Sequence, residues 1–141
     1  PTRRSSDLIQ FERYPGMLAK RKKMIEKMDA VLADINVTVL NHYGKNHASS
    51  GHLYIVRLLG KTREQTNGVI EKMAERGIAT NVHYKPLPMM TAYKKMGFDI
   101  KDFPNAYHMF ENEITLPLNT KMTMEDVDYV MENFVDIVKS L

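Results

Sequence analysis

The sequence of 141 residues contains no cysteine, so disulfide bonds, thiolate zinc sites and thiol catalysis are all excluded. No apolar run approaches the roughly 20 residues that a membrane-spanning helix needs. Residues 1–10 have no apolar segment of the kind found in signal peptides, which favours a cytoplasmic protein. A Gly-rich phosphate loop, a Gly-x-Ser-x-Gly elbow, a His-Glu-x-x-His pair and paired catalytic carboxylates are also missing. No local motif therefore indicates one of the simple catalytic classes.

What the sequence does contain is typical of one soluble globular domain. The hydrophobic fraction is 43% and the charged fraction is 26%, which argues against disorder. Twenty Lys and Arg stand against 17 Asp and Glu, and this excess is too small to indicate nucleic-acid binding by itself. Most of the 11 methionines lie at helix-periodic positions, which indicates core packing.

Hydrophobic periodicity and turn signals predict the order α, β, β, α, β, short helices, β, α. The predicted elements are a helical pattern from Asp7, a long helix from Met17 to about Asp34, strand 37–40, loop 41–51, strand 52–58, helix 63–76, extended segment 78–84, helix 91–96, loop 98–103, a short helix from Pro104, strand 114–116 and a helix after Thr123. Residues 1–6 show no periodicity and are expected to be a disordered or cloning-derived tail to a domain at 7–141. This pattern predicts an α/β (α+β) two-layer sandwich, in which amphipathic helices cover a small mixed or antiparallel sheet.

Three local signals sharpen these boundaries. Thr62 with Gln65, and Thr123 with Asp126, have the spacing of capping boxes at helix starts. Gly77 suits the left-handed position that follows a helix. Both ends of the helix at 63–76, and the start of the last helix, are therefore predicted from local chemistry alone.

Other features predict packing and exposure. Pro15 is expected to break or kink the first helix, because proline cannot donate the helical hydrogen bond. The strand at 52–58 is apolar on both faces, as expected for a sheet covered by helices. The basic run at 20–23 is interpreted as a solvated helix face, and His42 and His47 as surface loop residues rather than metal ligands.

Polar chemistry is densest in the segment 77–87, where His83, Tyr84 and Lys85 follow an extended run and precede Pro86. Loops after strand ends are common places for functional side chains. Alternation along an extended chain would place His83 and Lys85 on one side and Tyr84 on the other. A histidine at a strand end is more often structural than functional, so the pattern alone leaves both interpretations open.

Three separated stretches carry a family resemblance. They are Gln10-Phe11-Glu12-Arg13 with the basic run at 20–23; Gly77-Ile78 to His83-Tyr84-x-Pro86-Leu87; and Phe103-Pro104-Asn105-Ala106 with Ile114-Thr115-Leu116-Pro117-Leu118 and Met122-Thr123-x-Glu125-Asp126-Val127. Spaced in this way over residues 10–138, the set resembles the C-terminal small domain of the DegT/DnrJ/EryC1/StrS aminotransferases. Those enzymes use pyridoxal phosphate (PLP) to aminate nucleotide-linked keto-sugars.

The resemblance implies a part of a longer enzyme. In that family the Schiff-base lysine and the acid that holds the pyridinium nitrogen belong to the large domain upstream, and no lysine here has a matching context. The chain alone is therefore expected to be inactive, to bind no PLP and no metal, and to carry no catalytic residue. The resemblance places His83, Tyr84 and Lys85 on the substrate-binding side.

For the parent enzyme, the resemblance implies a homodimer that uses a nucleotide-sugar substrate and an amino donor, without nucleic-acid or membrane contacts. The alternative is a stand-alone α/β binding or regulatory module for an anionic metabolite or RNA, with the basic helix as its contact face. RNA is the weaker choice, because the aromatic residues fall mainly in core-like positions rather than among basic residues on one strand.

Overall fold

The computed structural model describes residues 3–141, with side chains described from residue 7 onward. The helices are α1 (Arg3–Leu32), α2 (Arg63–Glu75), α3 (Thr91–Lys95), α4 (Pro104–Phe110) and α5 (Met124–Lys139). The strands are β1 (Val37–Val39), β2 (Tyr43–Gly44), β3 (His47–Ala48), β4 (Tyr54–Leu58) and β5 (Glu113–Leu116). Single 3₁₀ turns at Leu87–Met89 and Ile100–Asp102 flank α3. The predicted two-layer α/β architecture is confirmed, with an additional β2–β3 hairpin inside the predicted loop.

The main sheet is antiparallel and has β4 at its centre. Its strand order is β1-β4-β5, and Val56 lies opposite Val39 on one side and Ile114 on the other. Three β-branched residues in a row across the sheet give the close cross-strand packing that stabilises such pairs. The sequence had left a mixed or an antiparallel sheet open, and the three strands are antiparallel.

Helices cover one face of this sheet much better than the other. Along β4, Tyr54, Val56 and Leu58 are buried, whereas Ile55 and Arg57 are only half-buried. The prediction of a sheet covered on both faces is therefore wrong for the second face. There, Ile55 and Arg57 line a cleft that α4 closes only in part.

The core lies between the buried face of the sheet and three helices. Helix α5 packs against both α1 and α2. The largest fully buried side chains are Tyr54, Phe134, Met24, Ile25, Met28, Leu58, Met73, Ile114, Leu116, Met131, Ile137 and Val56. Four of these are methionines and Met122 is also buried, so five of the 11 methionines fill the core as predicted. The prediction is wrong for the four exposed ones, which are Met90, Met96, Met109 and Met124. In the part of the chain that the structure describes, no helix combines the length and apolar character that a bilayer crossing requires.

Both predicted capping boxes are present. The Gln65 amide donates to the Thr62 hydroxyl at 3.3 Å while the Gln65 side chain accepts from the Thr62 amide at 3.0 Å. Thr123 and Asp126 make the same reciprocal pair at 3.1 and 2.7 Å. These bonds satisfy amides that have no partner inside the helix, and they fix the starts of α2 and α5.

Helix α1 differs from its prediction at both its start and Pro15. It begins at Arg3 rather than Asp7 and runs without a break through Pro15. Of the expected break or kink, the break is therefore wrong and the kink stays a prediction. Residues 1 and 2 of the predicted tail lie outside the described residues. Residues 7–16 are all exposed. A proline removes one intrahelical hydrogen bond, and in this exposed half of the helix the carbonyl left without a donor can be hydrated instead.

The loop at 41–51 folds back on the sheet and corrects the prediction for His42. His42 is only 5% exposed, because its ring stacks on Tyr54 of the central strand. His47 is exposed, as predicted. In the basic run, Lys20 and Arg21 donate to the carbonyls of Thr120 at 2.7 Å and Ser50 at 3.1 Å, so part of this solvated face also ties two loops to α1.

Candidate functional site

The segment after α2 approaches the sheet but does not become a strand. Gly77 ends the helix with a φ of 74°, the left-handed conformation that glycine adopts at little cost. Asn81 then exchanges two backbone hydrogen bonds with Thr115 of β5, at 3.1 and 2.7 Å, and forms an isolated antiparallel bridge. The predicted extended segment therefore pairs with the edge of the sheet at one residue, and His83 lies two residues further along the chain.

His83 is held by two residues of β5. Its backbone amide donates to Glu113 Oε2 at 3.0 Å, and its ring Nδ1 lies 2.9 Å from Thr115 Oγ1. The Thr115 hydroxyl in turn lies 2.7 Å from Glu113 Oε1. Glu113 and Thr115 are each 5% exposed, so this set of hydrogen bonds is shielded from water, while the His83 side chain remains half-buried.

A cleft of about 270 Å³ lies on the partly covered face of the sheet. Charged and aromatic polar groups come from His83, Tyr84, Arg57 and Glu113. The remaining lining residues are Thr38, Val39, Leu40, Ile55, Ala106, Met109 and Phe110. His83 also borders a second cleft of about 280 Å³, with Thr115, His52 and the residues 79–81 in its wall. His83 therefore stands between two concave surfaces.

Tyr84 and Lys85 are not placed as alternation predicted. The Tyr84 ring meets the His83 ring edge to face, with centroids 4.6 Å apart, and both residues line the first cleft. Lys85 is exposed and lines neither cleft. The alternation fails because pairing with the sheet occurs at Asn81 only, so no pleat imposes opposite directions on successive side chains.

Arg57 connects the sheet to the end of α4. It stands opposite Glu113 in the antiparallel register. Its Nε donates to Asn112 Oδ1 at 3.0 Å, and its Nη2 donates to the carbonyl of His108 at 3.1 Å. Hydrogen bonds of this kind from a charged donor are stronger than neutral ones, and they hold α4 over the cleft.

Arg63, at the start of α2, also ties the end of α4 to the start of β5. Its Nη1 donates to the carbonyls of Phe110 at 2.8 Å and Glu113 at 3.1 Å, and its guanidinium lies over the Phe110 ring at 5.0 Å. Burial lowers the pKa of Arg63, and the negative charge of Glu113 opposes that change. The buried Glu113 carboxylate therefore has a cation in its neighbourhood as well as two direct hydrogen-bond donors.

The arrangement presents an imidazole and a phenol to a ligand, with a buried carboxylate behind them. It does not fit PLP as a Schiff-base partner, because among the described residues that line these two clefts there is no lysine. Among residues 7–141, whose side chains the structure describes, no cluster of three or more His, Asp and Glu side chains is placed to hold a metal ion. What the clefts offer a ligand is therefore the hydrogen-bonding groups and aromatic rings of His83, Tyr84 and Arg57.

Glu113 and Arg57 were missed as site residues from the sequence. A signal was present: Glu113 and Thr115 alternate with Ile114 and Leu116, the period of a strand with one polar face. The predicted strand began at Ile114, one residue later than β5 does, so Glu113 was not counted among the alternating residues. All four residues of β5 are buried, and a buried carboxylate calls for partners, which His83 and Thr115 provide.

The comparisons with known proteins agree with the fold and the motifs. The family model of the DegT/DnrJ/EryC1/StrS aminotransferase family matches residues 6–135. The spore coat polysaccharide biosynthesis protein SpsC of Bacillus subtilis is 31% identical over 139 residues, which cover 94% of this chain and 35% of SpsC.

Solved structures give the same result. The PLP form of the putative sugar aminotransferase Spr1654 from Streptococcus pneumoniae is 47% identical, with a TM-score of 0.92 over 94% of this chain and 34% of Spr1654. Helicobacter pylori PseC, an aminotransferase involved in pseudoaminic acid biosynthesis, is 25% identical, with a TM-score of 0.83 over 95% of this chain and 36% of PseC. The chain thus spans about a third of the length of these relatives. It belongs to the DegT/DnrJ/EryC1/StrS aminotransferase family.

Proposed function

We propose that the chain is the C-terminal part of a PLP-dependent aminotransferase that transfers an amino group to a nucleotide-linked keto-sugar, with residues 7–141 as its small domain. The observation that carries this proposal is the family match over residues 6–135, which includes the whole His83 site. The activities for which the relatives are named support the substrate class. One of them, from Helicobacter pylori, is a UDP-4-amino-4,6-dideoxy-N-acetyl-beta-L-altrosamine transaminase that is 25% identical over 133 residues.

The dimensions of the clefts support a site that is completed elsewhere. Pockets that enclose a small-molecule ligand are roughly 300–1,000 Å³, and the cleft beside His83 and Tyr84 is about 270 Å³. A nucleotide-sugar is larger than a typical small ligand, so this cleft encloses only one portion of it. In the proposed enzyme, these residues form one wall of the active site.

The side chains suit the sugar or the phosphates of such a substrate. His83 exchanges a hydrogen bond or a proton with the ligand. Tyr84 is 72% exposed, and its ring can pack on a sugar or a base. Lys85 lines neither cleft. Its proposed role is to place a positive charge near the diphosphate from outside the clefts, without contacting the ligand inside them.

PLP supplies the electron sink for amino transfer in such an enzyme, and the residues that hold it would lie outside this chain. The 141 residues alone are therefore proposed to be inactive and to hold no PLP. The same proposal includes a homodimer and a location in the cytoplasm, with no nucleic-acid or membrane partner.

Two measurements test this function. An antibody raised against the 141 residues should detect, in the source cells, a polypeptide about three times the 16.3 kDa of this chain. The purified larger protein, with PLP and L-glutamate, should aminate a UDP-linked keto-sugar. A single band near 16 kDa would instead support the stand-alone binding module, and a PLP-loaded protein that aminates no nucleotide-linked keto-sugar would contradict the proposed reaction.

A further inference from the structure

We infer that Glu113, acting through the hydroxyl of Thr115, fixes His83 in the neutral tautomer that carries its proton on Nδ1, so that Nε2 faces a ligand as a hydrogen-bond acceptor. Thr115 and Glu113 are thus positioning residues for His83. The role of His83 toward a substrate rests on the proposed function, whereas its tautomer is a property of this chain.

The direction of each hydrogen bond follows from what each group can donate. Glu113 Oε2 accepts from the His83 backbone amide at 3.0 Å, so this oxygen carries no proton toward that contact. Glu113 Oε1 lies 2.7 Å from the Thr115 hydroxyl, a distance typical of a hydroxyl that donates to a carboxylate. A carboxylate only accepts, and a hydroxyl has a single proton. Thr115 therefore donates its proton to Glu113.

The remaining contact sets the tautomer. The Thr115 oxygen and His83 Nδ1 are 2.9 Å apart. Because the Thr115 proton is already committed to Glu113, this hydrogen bond needs its proton from the ring, and Nδ1 must carry it. In a neutral imidazole the other nitrogen, Nε2, is then an acceptor.

Burial of Glu113 and Thr115 disfavours the other tautomer of His83. Glu113 and Thr115 are each 5% exposed, so water is poorly placed to replace either bond. A buried polar group without a hydrogen-bond partner is destabilising, which penalises any arrangement in which Thr115 and His83 both lack a proton for their contact. Arg63 Nη1 donates to the Glu113 backbone carbonyl at 3.1 Å, which places a guanidinium beside this residue.

The free nitrogen determines what His83 can do. Among the residues that the structure describes, none bonds to Nε2 of His83. As an acceptor, this nitrogen suits a sugar hydroxyl or a proton taken from the substrate, whereas a phosphate oxygen would bind only after the imidazole gains a second proton. The network thus favours contact of His83 with the hydroxyl-bearing or reacting part of the substrate over its diphosphate.

Nitrogen-15 NMR of the imidazole side chains tests the tautomer without substrate or PLP. Protonated and unprotonated ring nitrogens have well-separated shifts, and the His83→Gln variant identifies the His83 signals among the five histidines of the chain. At about pH 8.5, where histidines with ordinary pKa values are neutral, we expect a protonated Nδ1 and an unprotonated Nε2. The opposite tautomer in the unmodified chain would overturn the inference.

Two variants test the route through Thr115. Thr115→Ser keeps the hydroxyl, so Nδ1 of His83 should stay protonated. Thr115→Val removes the acceptor of that proton, so His83 should become a mixture of its two neutral tautomers. In Glu113→Gln, one amide atom must still accept from the His83 amide, so the NH₂ group faces Thr115 and donates to it. The Thr115 proton then turns to Nδ1 and the tautomer should reverse. A folded Glu113→Gln chain that retains a protonated Nδ1 would contradict the route.

The outcomes separate this inference from the proposed function. If a variant does not fold, the unmodified chain and Thr115→Ser still decide the tautomer, because neither removes a buried partner. A correct tautomer in a full-length protein that aminates no sugar would refute the function and leave the network standing. An active enzyme in which His83 carries its proton on Nε2 would refute the hydrogen-bond network and leave the proposed function standing.

Discussion

The imidazole of His42 is stacked on the ring of Tyr54, with centroids 5.8 Å apart and planes 5° from parallel. The Tyr54 hydroxyl donates to Asp29 Oδ1 at 2.7 Å, which ties the central strand to α1. His42 Nε2 is buried and has no hydrogen-bond partner in the described part of the chain. Burial lowers the pKa of His42 from its ordinary 6.5, and the charge of Asp29 opposes part of that change.

The stability of the chain should therefore depend on pH through His42. Because the folded-state pKa is lowered, the unfolded chain takes up the proton first, and the free energy of unfolding should fall as pH decreases below about 6.5. His42→Phe keeps a ring against Tyr54 and removes the titration. We expect urea unfolding between about pH 7 and 5 to show a shallower pH slope for this variant, by at most about 1.4 kcal/mol per pH unit.

His47→Phe is the matched control, because His47 lies five residues further along the chain and is exposed. Its pH slope should equal that of the unmodified chain. An unchanged slope in His42→Phe would show that the buried imidazole does not control acid stability.

Gly68 inside α2 and Gly77 just after it should respond in opposite directions to alanine. At Gly68, inside α2, an added Cβ would meet nothing within 4 Å, so Gly68→Ala should stabilise the chain by about 0.5–1 kcal/mol. At Gly77 there is also space, but φ is 74°, and Gly77→Ala should destabilise the chain by about 1–2 kcal/mol.

Urea unfolding of both variants gives the two changes in the free energy of unfolding. The comparison is informative because the substitution is chemically identical and neither site is crowded. A Gly77→Ala variant as stable as Gly68→Ala would indicate that the left-handed turn before His83 is not fixed in solution.

The parts of the fold that depend on neighbours along the chain could be predicted from the sequence. Each capping box joins residues three positions apart, as Thr62 with Gln65 and Thr123 with Asp126, and the apolar stripe of α5 is repeated over its whole length. Burial of His42 could not be predicted, because it depends on Tyr54, which is distant along the chain and belongs to another element.

The candidate site likewise has residues that could be predicted from the sequence and residues that depend on a tertiary contact. The resemblance selected His83 and Tyr84, and the structure places them together in one cleft. The network behind them needs β5 to lie beside the segment after α2, a tertiary contact that exists at Asn81 and Thr115. Alternation along β5 places Glu113 on one face with Thr115, but no local pattern encodes the contact of that face with His83, and pairing at Asn81 alone is why Lys85 does not share the side of His83.

The 141-residue chain should not form a covalent complex with PLP. No lysine lines either cleft beside His83 within the described residues. We expect the absorbance spectrum of added PLP to remain that of the free cofactor, and borohydride reduction followed by intact-mass measurement to show no stoichiometric adduct. A single reduced adduct on one lysine would mean that this chain carries a reactive lysine of its own.

Steady-state kinetics of the full-length protein with His83→Ala test most directly whether this cleft faces the substrate. Removing a proton-transferring or substrate-orienting group typically costs about 10²-fold or more in rate, so kcat/KM for a nucleotide-linked keto-sugar should fall by that amount. PLP absorbance should stay unchanged, and His47→Ala, which alters an exposed histidine on the β2–β3 hairpin, should retain full activity. A His83→Ala enzyme with the kcat/KM of the unmodified protein would contradict the assignment.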